Sequence, residues 1–293
     1  MEQVLVVGAG FMGAGIAQVC AQSGYQVHLS DVSKEAIENA QKAIEWSVKK
    51  LFQKGSLKDP PADILKRLSC EADLKSAESA DWIIEAVLEK EDLKRNLFRE
   101  LEQIAPKKTP IATNTSSIPI TRIATVTKNP ERVLGLHFFG PVPFMNLVEV
   151  VKGEKTSVNI FEKSVAFIRT LGKTPVRVHR DIPGFVMNRI FSAAFREALD
   201  LVADGIVSAE DVDIGMRLGY NWHIGPFEIA DNAGLDTFAL VSRSMKALGE
   251  EMLVSKSDLV ESMIQEGRLG RKVGKGFYRY TPDGKRIPWD EKG

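Results

Sequence analysis

The chain has 293 residues, and its 39 lysines and arginines balance its 39 aspartates and glutamates, so the formal net charge is zero. This balance predicts no nucleic-acid or membrane partner, and two cysteines, Cys20 and Cys70, are too few for a disulfide framework or a metal site. A low cysteine content favours a reducing compartment. Because the first predicted strand begins near Gln3, we expect no targeting segment and a cytoplasmic location.

Short apolar runs alternate with longer amphipathic segments over the first two-thirds of the chain. The apolar runs predict strands at Val4–Val7, Gln26–Leu29, Trp82–Ala86, Pro110–Thr113, Val133–Phe138 and Leu147–Val151. The amphipathic segments predict helices at Met12–Ser23, Ser33–Lys54, Lys90–Ile104 and Asn159–Leu171. This alternation is typical of an α/β fold in which helices cover both faces of a doubly wound parallel sheet.

The pattern changes after about residue 180, where helical spacing dominates. Helices are predicted at Phe185–Gly205, Ser208–Leu218 and Thr237–Leu248, and one strand-like run follows at Gly276–Tyr280. The turn Asp181–Gly184 contains a proline and a glycine, which suits a boundary. We therefore predict an α/β domain over residues 1–181 and an all-helical C-terminal domain over residues 182–293.

A glycine pattern follows the first predicted strand directly. Gly8, Gly10 and Gly13 form G-x-G-x-x-G at the start of a helix, the arrangement of a Rossmann dinucleotide site. Asp31 follows the second strand, 23 positions after Gly8 (31 − 8), where a carboxylate binds the ribose hydroxyls and repels a 2′-phosphate. The pattern predicts NAD rather than NADP as the cofactor. The alternative is a merely structural glycine turn.

Two ionisable residues interrupt runs that otherwise favour burial. His137 lies in the strand Val133–Phe138, and Glu149 lies in the strand Leu147–Val151. A buried carboxylate needs a partner, and an imidazole paired with it would suit a general base for alcohol oxidation. The alternative is a core histidine bonded to a backbone carbonyl, with the glutamate at a solvated strand end.

Seven motifs, taken together and in order, resemble the 3-hydroxyacyl-CoA dehydrogenase family. They are GAGFMGAGIA from Gly8, EAVLEKEDLK from Glu85, NTSS from Asn114, LHFFGPVPFMNLVEVV from Leu136, PGFVMNRI from Pro183, GPFEIAD from Gly225 and LGRKVGKGFY from Leu269. The resemblance covers nearly the whole chain. It implies NAD-dependent oxidation of an (S)-3-hydroxyacyl-CoA to a 3-ketoacyl-CoA, or the reverse reduction, with the substrate between the two domains.

The resemblance also implies roles for individual residues. His137 matches the catalytic base and Glu149 its paired acid, Ser116 matches a serine that bonds the substrate 3-oxygen near the nicotinamide, and Asn188 matches an asparagine near the thioester. The implied coenzyme A contacts are Ser47 and Lys54. The implied cofactor contacts are Gly8, Gly10, Phe11, Met12, Gly13, Asp31, Glu89, Lys94, Asn114, Ser116 and Lys272.

Each implied role has a structural alternative. Ser116 could instead be a helix cap, and Asn188 could cap or staple the start of a helix. Glu89 and Lys94 could be ordinary charges in a first helical turn. The basic residues around Lys54 would normally form a solvated helix face; they are Lys42, Lys49, Lys50, Lys54 and Lys58.

One position departs from the family pattern, and two other functions stay open. The family usually has H-F-F-N-P, whereas this chain has Gly140 in place of the asparagine, which puts the identity of the substrate in question. The alternatives are a dehydrogenase of a free hydroxy acid or sugar acid, and an NAD-binding protein with little turnover. By the same resemblance the C-terminal domain is expected to bind substrate and to form a homodimer.

Overall fold

The computed structural model describes residues 2–251 and 254–287, without the side chains of residues 244 and 245. The chain divides into two compact units between Ile182 and Pro183. Each unit has its own hydrophobic core, and each is described separately below.

The N-terminal unit is built on an eight-stranded sheet with the order β3-β2-β1-β4-β5-β6-β7-β8. Its strands are β1 Gln3–Val7, β2 Gln26–Ser30, β3 Leu68–Glu71, β4 Trp82–Glu85, β5 Ile111–Thr113, β6 Val133–Phe138, β7 Leu147–Lys152 and β8 Thr174–Val178. The first six strands are parallel. Strand order reverses on either side of β1, and ligands of doubly wound folds bind at such a point, beyond the carboxyl ends of the strands.

Six helices accompany these strands. They are α1 Phe11–Gln22, α2 Lys34–Gln53, α3 Pro61–Leu65, α4 Glu91–Ile104, α5 Ile120–Ala124 and α6 Val158–Thr170. The central strands β4 and β5 are buried at every position, because helices cover both faces of a parallel sheet. The predicted Rossmann-type α/β fold class is confirmed.

The sheet differs from the prediction at its two edges. Strands β7 and β8 run opposite to the other six, because only eight residues (139–146) separate β6 from β7. A parallel crossover needs about a dozen residues or more, so this short connection forces an antiparallel pair. The edge strands β3 and β8 were not predicted, because they are only partly buried and lack a continuous apolar run.

The C-terminal unit is helical apart from a small hairpin, whose first strand lies in the predicted run Gly276–Tyr280 and whose second strand was not predicted. Its elements are α7 Met187–Ala203, α8 Ala209–Tyr220, α9 Pro226–Ala233, α10 Leu235–Ala247, α11 Leu259–Gln265, β9 Arg279–Tyr280 and β10 Arg286–Ile287. The buried carboxylate of Asp231 accepts hydrogen bonds from the backbone N–H groups of Phe277 and Tyr278 and from the Tyr280 hydroxyl. These hydrogen bonds join the GPFEIAD motif, which contains Asp231, to the end of the LGRKVGKGFY motif. No helix in the described parts of the chain is long and apolar enough to cross a membrane.

Candidate active site

The glycine turn after β1 has the geometry that its sequence predicts. Gly8 has a φ of 108°, which favours glycine, and a Cβ there would lie 2.6 Å from the carbonyl oxygen of Ala86. A Cβ on Gly13 would lie 1.7 Å from the carbonyl oxygen of Gly8, so only glycine lets α1 begin this close to the strand. A Cβ on Gly10 would have no atom within 4 Å. The N-terminus of α1 thus faces an open space where a pyrophosphate can approach the backbone, and these residues fit a dinucleotide.

Asp31 is held against this turn. Its Oδ2 accepts a hydrogen bond of 2.8 Å from the backbone N–H of Ala9, and its Oδ1 accepts one of 2.9 Å from that of Ser33. Each carboxylate oxygen keeps a second lone pair for a ligand hydroxyl. The carboxylate therefore lies beside the glycine turn in a fixed orientation, as a ribose-binding acid requires.

Glu89 and Lys94 form a buried network rather than a pair of solvated helix charges. The ammonium group of Lys94, whose side chain is 1% exposed, lies 2.6 Å from Glu85 Oε1 and 3.2 Å from Glu89 Oε2. Glu89 precedes α4 and Lys94 is buried against two carboxylates, so neither residue is an ordinary solvated charge of a first helical turn. Glu85 was not singled out from the sequence, although it is, like Glu149, a lone acid in an apolar strand.

Glu89 anchors the NTSS segment that follows β5. Its Oε1 accepts hydrogen bonds from the Thr115 hydroxyl and from the backbone N–H groups of Ser116 and Ser117, at 2.5, 2.9 and 3.2 Å. Helix α5 begins after Pro119 with no side-chain cap, so the alternative of Ser116 as a helix cap is wrong. Burial acts to raise the pKa of Glu89, but the charge of Lys94 and these donors lower it overall, which keeps the carboxylate ionised.

His137 and Glu149 lie directly opposite each other on the antiparallel strands β6 and β7. His137 Nδ1 is 2.7 Å from Glu149 Oε2, and both residues are buried. The alternative of a solvated glutamate is therefore wrong. A carboxylate at Glu149 accepts a hydrogen bond from Nδ1–H of His137. In the neutral imidazole, Nε2 is then the nitrogen that carries no proton. The pair has the arrangement of a histidine base oriented by a carboxylate.

The comparisons with known proteins agree with this geometry. The NAD binding domain of 3-hydroxyacyl-CoA dehydrogenase matches residues 3–182, and the C-terminal domain of the same enzyme matches residues 184–280. A probable 3-hydroxybutyryl-CoA dehydrogenase from Deinococcus radiodurans is 42% identical over 276 residues, which cover 94% of this chain and 99% of the relative.

The chain belongs to the 3-hydroxyacyl-CoA dehydrogenase family.

Two solved structures extend the comparison. The (S)-3-hydroxybutyryl-CoA dehydrogenase PaaH1 from Ralstonia eutropha is 38% identical, with a TM-score of 0.88 over 96% of this chain and 99% of that chain. A diketoreductase that acts on dicarbonyl compounds is 31% identical, with a TM-score of 0.85 over 96% of this chain and 99% of that chain. Family membership confirms the predicted enzyme class, an NAD-dependent oxidoreductase, and the predicted cofactor, NAD.

Two further residues hold the strand end and the loop beside His137 in this dehydrogenase. The Asn114 side-chain oxygen accepts a hydrogen bond of 2.9 Å from the backbone N–H of Phe138. The buried ammonium group of Lys173 donates to the carbonyl oxygens of Val142 and Met145, both at 2.7 Å. Burial lowers the pKa of Lys173. No sequence pattern pointed to Lys173, because its acceptors are backbone atoms about 30 positions earlier in the chain.

The remaining predicted site residues lie on α2 and in the C-terminal unit. Ser47 accepts a hydrogen bond from Gln18 Nε2 at 3.0 Å, and Lys54 caps the exposed C-terminus of α2. Asn188 is the second residue of α7, whose N-cap is Val186, so the alternative of Asn188 as an N-cap is wrong. The Lys272 ammonium group, also in the C-terminal unit, lies 2.6 Å from Asp236.

Gly140, which replaces the usual asparagine of the dehydrogenase family, packs against the glycine turn. A Cβ there would lie 2.7 Å from Phe11 Cε1 and 3.3 Å from Met12 Sδ. The Phe11 ring is 70% exposed and can move, but only by leaving its position beside the turn. The loop after His137 and the dinucleotide turn therefore meet at a position where a larger residue would displace the Phe11 ring.

We expect Gly140→Asn to lower kcat/KM on acetoacetyl-CoA by about fivefold, through a higher KM for NADH. The added side chain displaces Phe11, and overpacking of this kind costs about 1–3 kcal/mol. Steady-state kinetics with NADH varied measure the effect. Gly140→Ala is the matched control, since its Cβ alone should reproduce part of the rise in KM. An improved kcat/KM in Gly140→Asn would contradict this expectation and would show that the glycine costs the enzyme a hydrogen bond that asparagine makes.

Proposed function

We propose that the chain catalyses the reversible oxidation of an (S)-3-hydroxyacyl-CoA to the 3-ketoacyl-CoA, with His137 as general base and Glu149 as its positioning acid. The observation that carries the proposal is the 2.7 Å contact between them across β6 and β7. The pair lies on the strand edge where the glycine turn and Asp31 also lie. Ligands of doubly wound folds bind at this edge of the sheet.

The proton path follows from the pair. Glu149 holds Nδ1, so Nε2 takes the proton of the substrate 3-hydroxyl, and the carboxylate stabilises the imidazolium that results. When bound, NAD accepts the hydride from the carbon that carries this hydroxyl. Ser116, whose backbone N–H is bonded to Glu89, donates to the 3-oxygen in this proposal.

Coenzyme A is proposed to contact the exposed face of α2 through Ser47 and Lys54. Trp46 is 63% exposed, and the Lys50 ammonium group lies 4.4 Å from its ring centre, so the same helix presents a flat ring and positive charge together. A flat aromatic ring and ammonium groups suit a nucleotide with phosphates. Lys49 differs from its neighbours, because Glu45 already neutralises it at 2.5 Å.

Lys54→Gln is expected to raise KM for acetoacetyl-CoA about threefold and to leave KM for a truncated acetoacetyl thioester without the nucleotide unchanged. An exposed charge contributes little, and added salt should reduce the effect. Lys49→Gln, in which the ion pair with Glu45 is lost, is the matched control and should change neither KM. An equal rise of KM for both substrates in Lys54→Gln would contradict a coenzyme A contact.

The C-terminal unit is proposed to supply Asn188 to the thioester and Lys272 to the cofactor, and to form a homodimer. Several large apolar side chains of this unit are exposed, which supports a protein interface; they are Ile190, Ile206, Leu218, Tyr220 and Leu240. A cytoplasmic location is proposed on the basis that Cys20 and Cys70 are both free thiols.

An NADH-linked assay over 3-ketoacyl-CoA substrates of increasing chain length tests the proposed reaction. The matched comparison is the same set of 3-keto acids without coenzyme A, since the diketoreductase relative acts on dicarbonyl compounds. Turnover with the coenzyme A esters only is the expected result. Turnover with free acids only would favour a hydroxy-acid dehydrogenase, and none with either set would favour an NAD-binding protein.

A further inference from the structure

A buried cluster of three charged residues lies beneath the NTSS segment. Glu85, at the end of β4, is fully buried, and Lys94, in α4, is 1% exposed. Their side chains are 2.6 Å apart, and Glu89 joins them through Lys94 at 3.2 Å. Ion pairs buried this completely are rarely retained for stability, since apolar residues of the same size serve as well or better.

The hydrogen bonds around Glu85 all come from donor groups. Glu85 Oε1 accepts from the Val87 backbone N–H at 2.8 Å and from Lys94, and Oε2 accepts from the Thr113 hydroxyl at 2.6 Å. The Thr113 hydroxyl oxygen also accepts from the backbone N–H of Thr115 at 3.2 Å, which holds the hydroxyl beside Glu85. Burial raises the pKa of Glu85, and the charge of Lys94 and the donors Thr113 and Val87 oppose that rise because they stabilise the ionised carboxylate.

Lys94 is the positively charged member of the cluster. Its ammonium group has three acceptors, Glu85 Oε1, Glu89 Oε2 and the Val87 carbonyl oxygen at 3.3 Å, one for each N–H. Glu89 accepts from four donor groups of the NTSS segment, as an ionised carboxylate does. Two carboxylates and one ammonium group leave the cluster with one net negative charge.

The sheet places this charge at the carboxyl ends of its central strands. Glu85 aligns with Val7 on one side and Thr113 on the other, so it lies at the carboxyl ends of β1, β4 and β5. Asp31, which follows β2, would hold the adenosine half on the far side of β1, and the pyrophosphate would bind at α1. The nicotinamide half must then cross the ends of β4 and β5 toward His137 on β6.

We propose that Glu85 tunes the relative affinity of the site for the two redox forms of the cofactor. The nicotinamide ring carries a positive charge when oxidised and none after it accepts a hydride, which brings two electrons and one proton from the substrate carbon. A net negative cluster near the nicotinamide half would therefore favour the oxidised form. Glu85 is a positioning and electrostatic residue in this proposal, since it reaches the site through Lys94 and Glu89.

The test is a pair of binding equilibria on the full-length enzyme. Kd for NADH is measured by fluorescence titration and Kd for NAD⁺ by calorimetry, in wild type and in Glu85→Gln. One unit charge acting over the ~10 Å scale of a binding site at an effective dielectric of about 20 changes an affinity by roughly tenfold. We expect the ratio of Kd for NAD⁺ to Kd for NADH to rise about tenfold, which is about 30 mV for a two-electron couple.

Two variants separate charge from shape. Glu85→Asp keeps the charge and changes the geometry, so its ratio should stay within about twofold of wild type even if both affinities fall. Glu102→Gln removes the same charge from the C-terminal end of α4, where Glu102 bonds the backbone of Lys128 and Asn129, and should leave the ratio unchanged. A folded Glu85→Gln enzyme with the wild-type ratio would overturn the proposal, and so would an equal change in Glu85→Asp.

A double variant covers the case in which Glu85→Gln does not fold. Glu85→Leu with Lys94→Met replaces the ion pair by apolar side chains. Only Glu89 then remains charged, so the net charge of the cluster stays at minus one. We expect a ratio close to that of wild type, and a tenfold shift would overturn the charge argument. Neither measurement uses an acyl-CoA. Failure here therefore leaves the proposed substrate untouched, and failure of the substrate assay leaves this inference untouched.

Discussion

His137→Gln is expected to lower kcat by at least about 10²-fold while the affinity for NAD stays close to that of wild type. Glutamine fills a similar space but cannot take the hydroxyl proton, and a general base contributes about 10² to 10⁴ in rate. Single-turnover and steady-state assays with acetoacetyl-CoA measure the loss. His179→Gln is the matched control, since His179 is exposed and lies outside the pair; it should change kcat less than twofold.

Glu149→Gln should lower kcat by about 10- to 100-fold, because the amide keeps the shape but loses the charge that stabilises the imidazolium. His137 and Glu149 act as a unit, so the double variant should cost far less than the two single losses combined. Thermal unfolding of each variant checks that the buried strands remain intact. Near-native rates in folded single variants, or losses that multiply in the double variant, would contradict the pair.

The second large effect concerns Asp31. We expect wild type to have a kcat/KM at least tenfold higher with NAD than with NADP, because the carboxylate repels a 2′-phosphate. Asp31→Ser should lower kcat/KM with NAD by about 10- to 100-fold, since hydrogen bonds to a charged group contribute about 1.5–3 kcal/mol. The variant also loses the bond that orients the turn at Ala9. The ratio of kcat/KM with NAD to kcat/KM with NADP should be smaller in Asp31→Ser than in wild type.

Asp63→Ser is the matched control for Asp31→Ser, since Asp63 lies on the exposed face of α3 with only a distant ion pair to Lys66 at 3.7 Å. It should leave both cofactor constants unchanged. Steady-state kinetics at saturating acetoacetyl-CoA, with NADH and NADPH varied in parallel, measure all three enzymes in the reductive direction. Equal kcat/KM for the two cofactors in wild type would contradict the assignment of Asp31 to the ribose site.

The glycine turn and the acid after β2 could be predicted because their chemistry is local. Gly8 and Gly13 are needed by the backbone of a single strand–turn–helix unit, Gly10 leaves space for a ligand beside it, and Asp31 directly follows the next strand. The lone His137 and Glu149 were visible for a similar reason, because an ionisable group in an apolar strand is conspicuous in any sequence. These features identified the fold class, the cofactor and the candidate base.

The partners of these residues depended on the tertiary structure. Only the antiparallel register of β6 and β7, which the eight-residue connection imposes, places His137 opposite Glu149. Only the parallel neighbours β4 and β5 bring Glu85 to Thr113 and to the segment that Glu89 anchors. Long-range pairs of this kind leave no periodic signal in the sequence, because the two residues lie far apart in the chain and neither one indicates its partner.

Lys173 shows most clearly what a sequence by itself leaves undetermined. Its ammonium group bonds the carbonyl oxygens of Val142 and Met145, and a backbone carbonyl is present at every residue. No residue type marks the acceptor, so no spacing could have predicted the bond. The sequence determined the chemistry available to this dehydrogenase, whereas the packing of the sheet decided which charges face each other and are held in place, since burial removes the water that would otherwise compensate them.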